Sequence, residues 1–204
     1  MSRRLVCWRH GQTVWNAESR FQGQTDIPLN ETGLAQAERA ARLLAALRPA
    51  AIISSDLMRA ADTAAALAAV TGLPVKTDKR LRERSGGSWE GCTAEEIKRR
   101  WPAEDAAWEP PEGELVPAVA ERVAEGLQSA IDTAGPDDLV VVVSHGAAIR
   151  LGMAKLLGLP EEHWPLLGPL NNCSWSVLSE GRRGWRLLEH NAGTLPEPVL
   201  SDDR

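Results

Sequence analysis

The chain has 204 residues, 43% hydrophobic and 25% charged, which is ordinary globular usage with enough length for a sizeable core. A formal net charge of −5 argues against a general nucleic-acid binder, so any anion site must be a local concentration of Arg and His. Three scattered cysteines suit a reducing compartment, and no segment has the length of a transmembrane helix or the apolar run of a signal peptide, so the expected location is cytoplasmic.

Residues 5–9 read as a buried strand that ends in Arg9. Residues 11–30, rich in Gly, Gln, Asn and Asp, read as a loop. The 3.6-residue period predicts a helix over 32–47, with Leu34, Ala37, Ala41, Leu44 and Leu47 on its apolar face and Pro49 as its stop. A short strand at 50–54 precedes an alanine-rich helix at 56–70, ended by Gly72 and Pro74, and 75–81 reads as extended. Thr93-Ala94-Glu95-Glu96 matches a capping box that opens a short helix to about Trp101. Residues 102–113 read as a loop through Pro110-Pro111, and 114–133 as a long helix with the stripe Val116, Val119, Val123, Leu127 and Ile131. Leu139 and the four valines after it form the run expected of a central parallel strand, apolar on both faces. A helix at 147–157 follows, then a hairpin of 175–178 and 185–188 at a sheet edge, and an irregular tail from about 192. Strands alternating with helices predict a three-layer α/β/α sandwich around a mainly parallel mixed sheet, as a single domain over 1–204.

Eight Trp against one Phe and no Tyr is lopsided usage, and Trp15, Trp89 and Trp164 are expected to serve mainly as packing residues. Cys7, inside the first strand, reads as a small buried hydrophobe.

The first strand runs into Arg9-His10-Gly11. Open α/β sheets bind ligands at the carboxyl ends of their strands, where an imidazole can act as nucleophile and a guanidinium can fork onto phosphate oxygens. Three residues alone are weak: a plain strand-to-loop turn, with Gly11 relieving backbone strain, explains them as well. The central strand, however, ends the same way, in Ser144-His145-Gly146, and opens a helix whose free N–H groups favour an anion. Two such endings in a chain with four histidines favour function, provided the strands are parallel neighbours. Arg59, one turn into the helix after the second strand, is the further cation, and Glu83, ahead of Gly86-Gly87, is the candidate acid. No His-Glu-x-x-His or similar metal-ligand spacing is present, nor a Walker A or Gly-x-Gly-x-x-Gly pattern.

These motifs resemble, in order and over nearly the whole chain, those of the histidine phosphatase superfamily, the group related to cofactor-dependent phosphoglycerate mutases. The resemblance rests on Arg9-His10-Gly11-Gln12-Thr13 with Trp15-Asn16, on Gln22-Gly23, on Asp26-x-Pro28-Leu29-Asn30-x-x-Gly33, and on Ser54-Ser55-Asp56-x-x-Arg59-Ala60. It continues through Leu81-Arg82-Glu83, Trp89-Glu90-Gly91 and Val142-Val143-Ser144-His145-Gly146. It implies a phosphoglycerate mutase-like fold. It also implies that His10 attacks phosphorus and becomes phosphohistidine, that Arg9, Arg59 and His145 hold the phosphoryl oxygens, and that Glu83 protonates the leaving oxygen. Asn16, Gln22, Gly23 and Gly146 fall where residues of the family touch the phosphate. Neighbouring guanidinium charges should keep His10 neutral, while a bound dianion and partial burial should load a proton onto Glu83.

The implied function is a metal-independent phosphatase acting on a small phosphate monoester, with no cofactor, no nucleic acid and no membrane partner, and with a homodimer left open. A compact stretch between Glu83 and His145 favours hydrolysis over transfer to a second alcohol, the mutase reaction; a phosphate-binding domain without turnover is the other alternative. His163-Trp164-Pro165, Asn172-Cys173-Ser174-Trp175 and Trp185-Arg186-Leu187 resemble the glucosyl-3-phosphoglycerate phosphatase branch, with Trp and Arg side chains able to receive a sugar and a carboxylate. Three positions depart from the family pattern: Gln12 stands where glutamate is usual, Trp8 is bulky for a strand end, and Leu115 replaces a common serine.

Overall fold

A computed structural model describes residues 2–193. In chain order its elements are β1 (Arg4–Arg9), α1 (Val14–Ala17), α2 (Glu31–Ala46), β2 (Ala51–Ser54), α3 (Met58–Thr71), β3 (Val75–Thr77), α4 (Ala94–Arg100), α5 (Pro102–Ala107), α6 (Val116–Asp132), β4 (Leu139–Ser144), α7 (Gly146–Leu156), β5 (Trp175–Gly181) and β6 (Gly184–Ala192). The six strands form one sheet in the order β3-β2-β4-β1-β5-β6. β3, β2, β4 and β1 are parallel; β5 runs antiparallel to β1, and β6 antiparallel to β5.

The apolar run of β4 is explained by burial on both faces. Val140 and Val142 pack with the buried stripe of α6 and with α7, whereas Val141 and Val143 pack with α2 and α3. Burying each valine contributes roughly 1.5–3 kcal/mol. β1 repeats the division, with Leu5 and Cys7 on the first side and Val6 and Trp8 on the second. The bulk of Trp8 is accommodated because its side chain is fully buried and its indole N–H donates to the Cys173 carbonyl at 3.1 Å. Phe21, Trp89, Cys92 and Ile97 form a third, smaller cluster, with Trp101 and Trp108 against it, and Phe21 meets Trp89 edge-on at 5.8 Å. Among the described residues no helix is long and apolar enough to cross a membrane.

Several local expectations are corrected. The segment read as a loop over 11–30 holds α1, started by a capping box between Thr13 and Asn16. The loop expected over 102–113 holds α5, because Pro102 occupies the first helical turn, where a missing N–H costs nothing. Extension ends at Thr77; Asp78 caps a 3₁₀ turn over Lys79–Leu81 instead. On α2 the buried face is Ala37, Ala40, Ala41 and Leu44, while Leu34 is 50% exposed. The alanines let α2 lie close to α3, which turns the larger Leu34 outward. Arg59 is the second residue of α3, hence in its first turn. β6 continues to Ala192, and the tail expected to be irregular lies otherwise outside the described residues.

Candidate active site

The pairing of β1 with β4 sets the site. Arg9 lies opposite Ser144 in parallel register, so the next residues, His10 and His145, leave the sheet side by side. Their ring centroids are 5.1 Å apart and the planes are tilted by 60°. Both side chains are buried. The His10 N–H donates to the Ser144 carbonyl at 3.0 Å, tying the two strand ends together.

The proton of His10 can be assigned from its partner. Nδ1 lies 2.7 Å from the Gly11 carbonyl oxygen, which can only accept, so Nδ1 carries the hydrogen. Nε2 then holds the free lone pair. Burial pushes the His10 pKa well below 6.5, the charges of Arg59 and Arg9 push it further, and the Gly11 carbonyl opposes them weakly. His145 is likewise held neutral, by burial first and then by Arg59, His10 and Arg9. His145 Nε2 is 2.9 Å from Ser55 Oγ. That hydroxyl already accepts the Leu57 N–H and has its own proton to give. When it is given to Nε2, the hydrogen of His145 sits on Nδ1, a buried atom that meets no hydrogen-bond partner among the described residues.

The cations surround these rings. Arg9 is buried, donates to the Leu170 carbonyl and leaves Nε without a partner among the described residues. Arg59 is fully buried and donates from Nη1 to the Thr25 carbonyl at 2.9 Å and from Nη2 to the Gly23 carbonyl at 2.7 Å. Gly23 has φ of +55°, and a Cβ there would stand 2.1 Å from Glu90 Oε1, so any larger residue is strained and must displace the Glu90 side chain. Glu83 lies over the start of α7. Its carboxylate accepts the N–H of Arg84 at 2.8 Å, of Ala148 at 2.9 Å and of Ala147 at 3.2 Å, donors that stabilise the charged form.

The loop residues form a connected shell. Asn16 Oδ1 accepts the Asn172 amide at 3.2 Å, and that amide also donates to the His10 carbonyl at 3.2 Å. Gln22 Oε1 accepts the Thr13 hydroxyl at 3.0 Å. Gly146 is the first residue of α7, directly after His145. Gln12 is a structural residue, its side chain taking the Asn30 amide at 2.9 Å and its N–H reaching Gln36.

Sequence reasoning missed three positioning side chains. Glu90 gathers the N–H groups of Gln24, Thr25 and Gly86, each at 2.9 Å, and so fixes the loop whose carbonyls hold Arg59. Asp56 grips Arg82 through two oxygens, at 2.7 and 2.6 Å, next to Glu83. Arg122 reaches from α6 to the carbonyls of Arg80, Arg82 and Glu83 and pairs with Glu114 at 2.6 Å. Glu90 carried a signal, since it sits in the quoted Trp89-Glu90-Gly91 motif; Arg122 carried none beyond being polar on an amphipathic helix.

Not every predicted neighbour converges. Arg186 borders a hollow of about 880 Å³ with Arg3, Pro136 and Asp137, residues that precede β1 and β4, so it lies at the opposite end of the sheet and cannot receive a carboxylate of a ligand held by His10. His163 is exposed, while Trp164 is buried and donates to the Leu159 carbonyl at 2.9 Å. Among the described residues no three His, Cys, Asp or Glu side chains are placed to hold a metal ion.

Comparison with known proteins agrees with this geometry. The profile of the histidine phosphatase superfamily (branch 1) matches residues 5–193. A glucosyl-3-phosphoglycerate phosphatase of Mycolicibacterium vanbaalenii is 46% identical over 93% of this chain and 95% of its own length. A mycobacterial glucosyl-3-phosphoglycerate phosphatase solved with VO3 superposes with a TM-score of 0.88 at 43% identity, covering 94% of this chain and 100% of that one. The same mycobacterial enzyme with inorganic phosphate superposes with a TM-score of 0.82 at 43% identity, over 94% and 98%. Paired histidines on adjacent parallel strands, in a phosphoglycerate mutase-like sandwich, and sequence likeness over most of the chain lead to one conclusion: this chain belongs to the histidine phosphatase superfamily, branch 1, and is a phosphate monoester hydrolase.

Proposed function

We propose that the chain hydrolyses a phosphoglycerate-type monoester through a phosphohistidine on His10. The observation that carries the reading is a pair of buried nitrogens, Arg9 Nε and His145 Nδ1, with no partner among the described residues, beside a neutral imidazole. Unpaired buried donors are costly, and an anion satisfies both. The relatives named above, acting by name on glucosyl-3-phosphoglycerate, support the substrate class.

The chemistry follows from the tautomer. The His10 Nε2 lone pair attacks phosphorus while the ester P–O bond breaks. Arg9, Arg59 and His145 Nδ1–H hold the oxygens over which charge spreads. Glu83 gives the leaving oxygen its proton, having been loaded against its N–H donors by the repulsion of the arriving phosphate. Water then attacks the phosphohistidine, passes a proton to the Glu83 carboxylate, and inorganic phosphate leaves with His10 neutral again.

The test is turnover of glucosyl-3-phosphoglycerate and p-nitrophenyl phosphate, with rapid quenching to trap acid-labile phosphate on protein. Phosphate release from both, a trapped adduct at His10 and its loss in His10→Ala are expected. An adduct elsewhere overturns the assignment, and phosphoglycerate isomerisation outpacing hydrolysis would make the enzyme a mutase.

A further inference from the structure

A second recess adjoins Glu83, and nothing in the phosphate chemistry uses it. Its volume is about 280 Å³, near the lower end for metabolite pockets, and its walls include Arg84, Trp108, Ala147, Arg150, Glu161 and Trp164. We infer that this recess receives the part of the substrate beyond the ester oxygen, and that Arg150 there binds a carboxylate and makes the enzyme select acidic phosphate esters. The inference rests on the proposed role of Glu83 and adds the residue that determines which ester is taken.

Position is the first argument. Two wall residues are the immediate neighbours of the Glu83 carboxylate: Ala147 donates its N–H to it at 3.2 Å, and Arg84 follows it in the chain and donates at 2.8 Å. A leaving oxygen protonated by Glu83 has phosphorus on one side. Its carbon substituent must extend from the other side, and two of the three residues that hold the acid, Arg84 and Ala147, line the recess.

Charge is the second. Arg150, on the second turn of α7, is half-buried and makes no hydrogen bond or ion pair among the described residues. Arg84, by contrast, is fixed to the Glu114 carbonyl at 2.7 Å and the Trp108 carbonyl at 2.9 Å. Glu161, also in the lining, forms no ion pair with Arg150, and its field falls on Lys155. The lining therefore holds two arginines and one glutamate. The Arg150 guanidinium, committed to no acceptor among the described residues, is open to a ligand carboxylate, which can take two parallel hydrogen bonds from it. Trp108 and Trp164 supply flat apolar walls on which the C–H face of a sugar ring can lie. The occupant with these features is a phosphorylated hydroxy acid, with space for a sugar attached to it.

The experiment compares kcat/KM for 3-phosphoglycerate and glycerol 3-phosphate, which differ in a carboxylate against a hydroxymethyl group. Wild type is expected to prefer the acid by about tenfold or more, corresponding to ~1.4 kcal/mol. Arg150→Met should abolish that preference mainly through KM, and Arg150→Lys should keep part of it. The ratio cancels any loss of activity common to both esters; should Arg150→Met fail to fold, Arg150→Gln gives the same reading. An unchanged ratio in the neutral variants overturns the inference. Equal turnover of both esters by wild type, with phosphate trapped on His10, overturns it alone and leaves the phosphatase reading standing. No turnover and no adduct overturns both.

Discussion

Glu83 accepts the backbone N–H of Ala148 at 2.9 Å, inside the first turn of the helix that His145 opens. Two free N–H groups of that turn, those of Ala147 and Ala148, are thus spent on Glu83 rather than on phosphate, and with Glu83 as the proposed acid the strand end carrying His145 would also fix where the leaving oxygen sits. In Glu83→Gln the amide oxygen still accepts these N–H groups, but no proton is delivered. We expect kcat/KM on an alkyl phosphate to fall by roughly 10²–10⁴, the usual contribution of a general acid. The fall on p-nitrophenyl phosphate, whose leaving group needs little protonation, should be far smaller. Equal losses on both esters would deny Glu83 the acid role.

Charge around the paired rings sets the acid side of the pH profile. Burial, Arg59 and Arg9, in that order, hold the His10 pKa well below 6.5. The free enzyme should therefore show no loss of nucleophile between pH 7 and 6.5, with protonation only further down. Arg59→Met removes one opposing cation, so the pKa must rise and the protonation step must move to higher pH. Imidazole NMR titration of the free protein reads this directly and avoids the titration of the ester itself near pH 6. A lower or unchanged value in Arg59→Met would contradict the electrostatic account.

The same rings couple folding to pH. Above about 6.5 the folded and unfolded chains both keep them neutral. Below it the unfolded chain binds two protons that the folded chain refuses, so stability declines as pH falls, by up to about 1.4 kcal/mol per pH unit for each ring. Asp56, held below 3.8 by its hydrogen bonds to Arg82, adds a loss only in more acid solution. Urea midpoints between pH 7.5 and 5.5 should show the decline, and His145→Asn should roughly halve its slope.

Arg122 acts at a distance from the reacting atoms. It donates to three carbonyls of the Glu83 segment and to both oxygens of Glu114. Arg122→Met removes these bonds, leaving the Arg80 and Arg82 carbonyls unserved among the described residues while Gln24 and Ser85 still serve Glu83 and Glu114, a cost of about 1–3 kcal/mol in the stability read from urea midpoints. It should also lower kcat by displacing Glu83, with less effect on KM. Combined with Glu83→Gln the kcat loss should be less than additive, because both changes act through one carboxylate. Full additivity would make Arg122 merely structural.

Much of this was legible in the chain because periodicity and paired strand endings are local signals. The run of valines at β4 could be read as a strand buried on both faces, and His10 and His145 followed from two like endings. Their adjacency could not be read, because it depends on β4 inserting between β2 and β1, a pairing across more than a hundred residues. Arg122 was invisible for another reason: a helix arginine looks solvated until the loops that pack over it are known. Arg186 failed in the opposite sense, being near the right motifs in sequence but at the wrong end of its strands.

Gly11 gives the sharpest separation of packing from chemistry. A Cβ there would stand 2.5 Å from the Gly33 carbonyl oxygen, so the residue is glycine because two backbones touch, not because its own conformation is strained. Neither partner can yield as a side chain would: the Gly33 N–H is held by the Asn30 cap at 2.8 Å, and the Gly11 carbonyl anchors the His10 ring. Gly11→Ala should cost roughly 1–3 kcal/mol through overpacking. It should also reduce kcat about tenfold or more, since a small misplacement of a reacting group is enough for that. Gly72→Ala is the control: its φ of +73° makes alanine strained, but nothing lies within 4 Å of the added carbon. It should lose about 1–2 kcal/mol of stability and keep kcat. If both variants lose stability and neither loses kcat, the contact between Gly11 and Gly33 does not position His10.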